Sequence, residues 1–125
     1  MNVPVNLKYS KDHEWLKVDG EEAYVGLTAY ATEQLGDVVF LDVTIVGETL
    51  GKDEAFGTVE AVKTVSDMLM PVGGEVLDFN AALETNPGLL NTDPFGEGWI
   101  VKIKITDPTE IEDLLDHTAY EALIG

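Results

Sequence analysis

Residues Phe56 to Val76 read FGTVEAVKTVSDMLMPVGGEV and contain one lysine, Lys63. The pattern predicts an apolar strand, a short turn that carries Lys63, a second apolar strand, a Gly73-Gly74 turn and a third strand. Such a hairpin would hold one primary amine at the exposed tip of a rigid element. Because a deprotonated amine is a nucleophile, the arrangement predicts acylation of Lys63 by an enzyme that reaches around the tip. The alternative is an unmodified lysine in a solvated turn.

The composition limits the class of protein and its partners. The chain has 125 residues, 45% of them hydrophobic, so we expect residues 1–125 to form a single domain around one core. Its 24 acidic residues against 7 basic ones give a formal net charge of −17 at pH 7. This charge disfavours nucleic acid and membrane surfaces as partners, and it favours partners with basic patches whose binding weakens with salt. A charge that serves only solubility remains the alternative.

The chain offers few groups for other chemistry. It contains no cysteine, so it has neither a disulfide framework nor a thiolate metal site, and redox chemistry would have to come from an attached group. His13 and His117 have no further ligands at suitable spacing, so a zinc site is not expected. The sequence shows no apolar run that could span a bilayer and no signal or transit peptide at its start. We therefore expect a cytoplasmic protein.

Short strands and small helices are predicted around the central stretch. The predicted strands cover residues 14–18, 22–25, 37–43, 75–79 and 99–105, with an Asp19-Gly20 turn between the first two. One helix is predicted from Thr28, as its N-cap, to Leu35. At most one helical turn fits between residues 86 and 94. The segment after Asp107-Pro108 is predicted to be helical, with a break near residues 116–118.

These elements predict a mainly β fold with short helices and a C-terminal helical segment. Because no long crossover helix separates the strands, a β-barrel or sandwich is favoured over a βαβ architecture. Residues 47–50 and 73–76 look like similar junctions from turn to strand, which suggests a weak internal symmetry. Four aromatic side chains are expected in the core: Trp15, Phe40, Phe79 and Trp99.

The stretch VEAVKTVSDMLMPVGGEVLDFN, residues 59–80, resembles the modified-lysine hairpin of the glycine cleavage system H protein family of lipoyl carriers. Four further segments resemble that family in the same order: YSKDHEW at 9–15, VGLTAYATEQLGDVVFLDV at 25–43, NPGLLNTDPFGEGWIVKIKI at 86–105 and DLLDHTAYEALIG at 113–125. Biotin carriers share the hairpin but usually have methionine on both sides of the lysine, where this chain has Val62 and Thr64. The chain departs conservatively from the usual family residues at Ala61, Thr64, Val65, Leu69 and Met70.

The resemblance implies a lipoyl-type barrel-sandwich hybrid fold and a non-catalytic shuttle with lipoate in amide linkage to Lys63. The implied partners are a pyridoxal-phosphate-dependent glycine decarboxylase, a tetrahydrofolate-dependent aminomethyltransferase and an FAD-dependent dihydrolipoyl dehydrogenase. A lipoate ligase or a lipoyl/octanoyl transferase would attach the group. A shuttle that visits several active sites is expected to be a monomer. The alternative function is a relay that stores a lipoyl or octanoyl group for other lipoyl-dependent complexes.

The resemblance also selects three carboxylates. An aminomethyl group on sulfur hydrolyses readily, so the loaded arm needs a cleft that limits water and offers an anion to the ammonium. Glu14 and Asp67 are the candidates for holding the arm. Glu60, three residues before Lys63, is a candidate for recognition by the modifying enzyme. The alternative for Glu14 and Asp67 is a solvated surface acid, and the alternative for Glu60 is an outward-facing strand residue.

Overall fold

A computed structural model describes residues 2–125 and contains two antiparallel sheets. The strands are β1 (Lys8–Tyr9), β2 (Glu14–Asp19), β3 (Glu22–Leu27), β4 (Val38–Asp42), β5 (Thr49–Leu50), β6 (Ala55–Ala61), β7 (Val65–Leu69), β8 (Gly74–Phe79) and β9 (Val101–Ile105). A six-stranded sheet has the order β1-β2-β3-β9-β8-β5, and a three-stranded sheet has the order β4-β6-β7. The helices are α1 (Ala29–Leu35), α2 (Ala82–Thr85), α3 (Leu89–Thr92), a 3₁₀-helix (Pro108–Asp113) and α4 (His117–Ile124). The predicted mainly β fold with short helices and a helical C-terminus is confirmed.

Local sequence signals placed most of these elements correctly. Helix α1 begins after Thr28, whose Oγ1 accepts a hydrogen bond of 3.2 Å from the backbone N–H of Ala31. The turn between β2 and β3 contains Gly20 at φ +66°, a conformation that glycine adopts without strain. The C-terminal break lies at residues 114–116, slightly earlier than predicted, because Leu115 pairs with Tyr9 as an isolated β-bridge before α4 begins.

Three short elements were not predicted: β1, β5 and α2. Strand β5 pairs with β8 through Thr49 opposite Glu75 and Leu50 opposite Gly74, so the two similar junctions seen in the sequence lie side by side. A two-residue strand has too few residues to show a periodic pattern. Its existence depends on the partner strand, which only the folded chain supplies.

The main core lies between the two sheets. The six-stranded sheet contributes, among others, the buried residues Leu16, Val25, Val76 and Ile103, and the three-stranded sheet contributes Val38, Leu41, Val59 and Met68. A smaller cluster of Leu7, Tyr9, Trp15 and Tyr120 packs the N-terminal segment and α4 against one end of the six-stranded sheet. No helix within residues 2–125 is long and apolar enough to cross a membrane.

The aromatic predictions were partly wrong. Trp15 is buried, whereas Phe79 and Trp99 are half-buried and Phe40 is 57% exposed. The cause at Phe40 is a β-bulge between Val38 and Phe40. A bulge adds one residue to a strand and shifts the alternation of faces, so Val38 and Leu41 point inward while Phe40 faces solvent.

Candidate functional site at the tip of the central hairpin

The structure places Lys63 at the tip of the hairpin formed by β6 and β7. The backbone N–H of Ala61 donates a hydrogen bond of 2.8 Å to the carbonyl of Thr64, so Val62 and Lys63 form a two-residue tip. The N–H of Val62 also donates to the carbonyl of Asp37 at 3.1 Å, which ties the tip to the start of β4. Lys63 itself is exposed. One amine is therefore held out from a well-braced turn.

The base of the hairpin is anchored in the core. Val59 and Ala61 of β6 and Met68 of β7 are buried at 4% exposure or less, and Ala61 lies opposite the buried Val38 of β4. Because these side chains fill the space between the sheets, the hairpin cannot rock without opening the core. The position of the Lys63 backbone follows from this packing.

Glu14, the first residue of β2, is a buried carboxylic acid beside the free edge of β7. It is 2% exposed. Its Oε1 accepts a hydrogen bond of 2.6 Å from the Ser10 hydroxyl, and its Oε2 accepts one of 3.4 Å from the backbone N–H of Leu69. Burial raises the pKa of Glu14 to about 7, although both hydrogen bonds oppose this rise. Glu14 is therefore not a solvated surface acid.

A cleft of about 180 Å³ is lined by Glu14 on one side and by residues of the hairpin on the other. Its walls combine apolar side chains with acidic and polar ones: Asp12, His13, Glu14, Leu27, Tyr30, Ala31, Gln34, Leu35, Val59, Ser66 and Asp67. The structure thus brings Glu14 and Asp67 to the same cleft, although they are distant in sequence. Glu60 is not part of this lining.

Ser66 and Asp67 contribute to the cleft in different ways. The register pairs Ser66 with the buried Val59, whereas it pairs Asp67 with Thr58 on the opposite, solvent-facing side of the sheet. The N–H of Leu69 points across the free edge of β7 to Glu14, and alternate residues of a strand point their backbone groups to the same edge. The backbone of Asp67 therefore faces the cleft, together with the side chain of Ser66. Sequence reasoning selected Asp67 and missed Ser66. Because side chains alternate between the two faces of a strand, the inward-facing Met68 could have shown that Ser66 faces the same side.

His13 connects the cleft to the C-terminal helix. Its backbone is left-handed at φ +71°, and its Nδ1 lies 2.9 Å from the hydroxyl of Tyr120 in α4. The same hydroxyl lies 2.7 Å from Oγ1 of Thr28, the N-cap of α1. Burial lowers the pKa of His13, and nearby Asp12 opposes that effect. The imidazole is therefore neutral at pH 7 and adds no positive charge to the cleft. Sequence reasoning missed that Tyr120, with Thr28 behind it, holds His13 in the cleft wall.

Glu60 lies on the outer face of the three-stranded sheet, away from the cleft. It is exposed in the middle of that sheet, opposite Phe40 of β4 on one side and Val65 of β7 on the other. Its carboxylate is available to a partner that approaches Lys63 from outside. It is not placed to contact a group lying in the cleft.

A β-rich fold that presents one lysine on a braced hairpin beside a narrow, partly acidic cleft defines a carrier domain of the lipoyl type. The family model for the glycine cleavage H-protein matches residues 7–125. The glycine cleavage system H proteins of Bacteroides thetaiotaomicron and Bacteroides fragilis are 57% and 52% identical over 125 residues, covering 100% of this chain and 99% of each relative. The crystal structure of a glycine cleavage system H protein from Mycobacterium marinum is similar with a TM-score of 0.90 at 36% identity, covering 98% of this chain and 99% of that one.

The chain belongs to the glycine cleavage H-protein family. It is a non-catalytic lipoyl carrier of the glycine cleavage system, and it acts together with the other components of that system. The family resemblance inferred from the five sequence segments is confirmed.

Proposed function

We propose that Lys63 carries lipoate in amide linkage and that the chain moves the aminomethyl group of glycine between enzymes. A pyridoxal-phosphate-dependent glycine decarboxylase loads the carrier, a tetrahydrofolate-dependent aminomethyltransferase unloads it, and an FAD-dependent dihydrolipoyl dehydrogenase restores it. The observation that carries the proposal is the exposed amine of Lys63 at the end of a hairpin whose edge borders the cleft of Glu14.

The residues of the cleft fit a lipoyl arm. When attached, lipoate supplies a disulfide that opens by reduction and carries the one-carbon unit. Apolar side chains such as Leu27, Leu35 and Val59 suit an aliphatic chain, and the carboxyl group of Glu14 suits an ammonium at its far end. With a volume of about 180 Å³, the cleft accommodates part of such an arm, and an arm lying in it would displace water from its walls.

Glu14 is the residue whose carboxylate pairs with the ammonium group of the loaded arm. With a pKa of about 7, the carboxyl group is only partly ionised at neutral pH, and a cation next to it stabilises the ionised form. Ser10 fixes the orientation of the carboxyl group through the hydrogen bond to Oε1. Asp67 acts from the rim through its backbone and its nearby negative charge. Neutral His13 avoids repulsion of the ammonium.

The attachment is tested by intact mass and peptide mapping of the protein from its native host. We expect the mass of one lipoyl group on the peptide that contains Lys63. A Lys63→Arg variant keeps the positive charge but cannot form the amide, so it should carry no lipoyl group and support no glycine-dependent bicarbonate exchange with glycine decarboxylase. Lys52→Arg is the matched control and should behave as the wild type. An unmodified wild type, or an active Lys63→Arg variant, would refute the proposal.

The cleft is tested by the hydrolysis rate of the loaded carrier. Glu14→Ala should speed the loss of the aminomethyl group, because the ammonium loses its buried anion. Asp67→Ala and Ser66→Ala should have smaller effects, since one changes the rim and the other a neutral wall residue. Asp78→Ala removes an exposed acid of the six-stranded sheet and serves as the control. Equal hydrolysis rates for the wild type and Glu14→Ala would exclude docking of the arm at Glu14.

We also propose that Glu60 is read by the enzyme that modifies Lys63, whether a lipoate ligase or a lipoyl/octanoyl transferase. Glu60 faces solvent three residues before Lys63, on the side of the hairpin away from the cleft. An exposed carboxylate there can pair with a basic side chain of the enzyme. A Glu60→Gln variant, which keeps the shape of the side chain, should be acylated more slowly at low enzyme concentration. Its rate of hydrolysis after loading should be unchanged.

A further inference from the structure

An open cavity rich in aromatic side chains lies on the outer face of the six-stranded sheet. Because Leu16 points into the main core, its neighbours on β2 point to the opposite face and form part of this cavity. The volume is about 270 Å³, just below the range of about 300–1,000 Å³ that is usual for ligand pockets, so the cavity suits a ligand of one or two rings. We name the residues that line it the ring pocket: Trp15, Lys17, Tyr24, Phe95, Gly96 and Trp99.

The aromatic walls of the ring pocket are held by packing and hydrogen bonding. Nε1 of Trp15 donates a hydrogen bond of 2.9 Å to the carbonyl of Pro94. The same indole covers Gly26, where a Cβ would lie 2.6 Å from the ring. Tyr24 and Trp99 pack edge to face at a centroid distance of 5.1 Å, and both are only half-buried. Part of each of these two rings is therefore open to a ligand.

The ring pocket differs in charge from other cavities of this acidic protein. Its walls, within residues 2–125, contain no carboxylate. Four other cavities in the described part of the chain, including the cleft of Glu14, each have at least two carboxylates in their walls. An anion can therefore enter the ring pocket without meeting a carboxylate of the wall.

Two ammonium groups lie next to the rings. The register places Lys17, Tyr24 and Lys102 in one row across β2, β3 and β9. Nζ of Lys102 lies 5.6 Å from the centroid of the Tyr24 ring and 3.1 Å from Oε1 of Glu22. Lys17 is exposed and forms no ion pair with any residue from 2 to 125. The ammonium of Lys17 is therefore available to an anionic ligand.

Three carboxylates lie near these ammonium groups but outside the walls of the pocket. Glu22 is bound to Lys102, and Asp19 lies opposite Glu22 in the next row of the sheet. Asp78 lies opposite Lys102 on β8. Lys17 is the charged side chain of the walls themselves, so it decides which charge the pocket accepts.

We propose that the ring pocket binds a small aromatic carboxylate, with the ring between the aromatic walls and the carboxylate on the ammonium of Lys17. Stacked and edge-to-face contacts orient a flat ring, and a charge-assisted hydrogen bond orients its acid group. A cage of aromatic rings also suits a quaternary ammonium. Lys17 disfavours that ligand because like charges repel, and Lys102 already lies near the Tyr24 ring.

This site is separate from the one that serves the lipoyl arm. None of the residues of the ring pocket lines the cleft of Glu14. Binding therefore requires no acyl group on Lys63, and the lipoylated and the unmodified chain should have the same affinity for the ligand.

The test is an NMR titration of the full isotope-labelled chain. Trp15 and Trp99 are the two tryptophans of the chain and both line the pocket, so both indole N–H signals report on it. The probes are naphthoate, naphthylmethanol and naphthylmethylammonium, substituted at the same ring position with a negative, a neutral and a positive group. We expect naphthoate to bind about threefold more tightly than naphthylmethanol, and naphthylmethylammonium to bind most weakly. The net charge of −17 alone predicts the opposite order.

Variants locate the binding. Lys17→Gln should raise the Kd for naphthoate about threefold and leave the Kd for naphthylmethanol unchanged, because it removes only the ammonium. Lys104→Gln removes the same charge from an exposed position in the next row of the sheet and is the matched control. Tyr24→Thr removes one aromatic wall and should raise the Kd for both probes about tenfold. Thermal melts confirm folding, and Lys17→Gln, at an exposed lysine, decides the test if Tyr24→Thr does not fold.

Three results would overturn the proposal. Tighter binding of naphthylmethylammonium than of naphthoate would show that the pocket is a site for cations. Equal Kd values of Lys17→Gln and Lys104→Gln for naphthoate would show that Lys17 does not receive the carboxylate. Indole signals of Trp15 and Trp99 that stay unchanged up to the solubility limit of naphthoate would show that the ring pocket binds no aromatic carboxylate.

Discussion

The hydroxyl of Ser10 donates a hydrogen bond of 2.6 Å to Oε1 of Glu14 and accepts one of 3.0 Å from the backbone N–H of the same residue. The two residues therefore hold each other in place at the start of β2. The carboxyl group is fixed in the cleft wall, with its second oxygen near the edge of β7. This arrangement combines a buried acid with a defined orientation, which an exposed carboxylate on a flexible side chain would lack.

Loss of the Ser10 hydroxyl should raise the pKa of Glu14 further. The hydrogen bond from Ser10 stabilises the ionised form, so Ser10→Ala removes an effect that lowers the pKa. We also expect a loss of about 1–2 kcal/mol in the free energy of unfolding, because a buried acceptor loses its donor. NMR titration of the Glu14 carboxyl and urea unfolding measure the two effects. Ser66→Ala, at an exposed serine, is the control, and an unchanged Glu14 pKa in Ser10→Ala would contradict the prediction.

The pKa of Glu14 also predicts a pH dependence of stability. Because its pKa is about 7 in the folded chain against an ordinary value of 4.5, the folded state holds the proton more tightly than the unfolded state. The contribution of Glu14 to stability is therefore fully present below pH 4.5 and is lost as the pH rises through about 7. The loss amounts to roughly 3 kcal/mol.

A Glu14→Gln variant cannot titrate at this position. Its free energy of unfolding, relative to the wild type, should increase from pH 5 to about pH 7 and then level off toward pH 8. Denaturant unfolding at several pH values in this range measures the difference. If the glutamine amide changes the hydrogen bonds of this site, it shifts the stability difference by the same amount at every pH. The dependence of that difference on pH is unchanged. A difference independent of pH would show that burial does not perturb Glu14.

Tyr120 should stabilise the link between α4 and the cleft through its hydroxyl. A Tyr120→Phe variant keeps the ring that stacks on Tyr9 at a centroid distance of 4.6 Å. It removes the polar partner of His13 and of Thr28, so we expect a loss of about 1–2 kcal/mol in unfolding free energy. Tyr30→Phe removes the hydroxyl of the other tyrosine ring that contacts His13 and is the control. Equal melting temperatures for the two variants would speak against the role of the Tyr120 hydroxyl.

Gly57 should be required for the close approach of β4 to the hairpin. A Cβ at this position would meet the backbone oxygen of Asp42 and would lie 2.8 Å from Cγ2 of Val43. Because backbone cannot move aside as a flexible side chain can, Gly57→Ala should push the strands apart and lower the stability by about 2 kcal/mol. Gly88→Ala is the control, since its nearest neighbour lies at 3.4 Å. Thermal unfolding distinguishes the variants, and a Gly57→Ala protein as stable as Gly88→Ala would contradict the packing described.

The sequence by itself determined the elements whose signals are local. The N-cap at Thr28, the turn at Gly20 and the position of Lys63 at a hairpin tip depend on residues that are neighbours along the chain. The order of five segments around Lys63 was sufficient to predict the family. These features were predictable because short-range backbone preferences and residue spacing carry them.

Only the tertiary structure decided which side chains share a surface. It brought Ser10, Glu14 and the edge of β7 together, and it showed that Ser66 rather than the Asp67 side chain lies on the inner face. One bulge in β4 exposed Phe40 next to Glu60, against the prediction of a core residue. Burial, register and the pKa of Glu14 depend on contacts between distant parts of the chain, and these contacts exist only once the two sheets have packed.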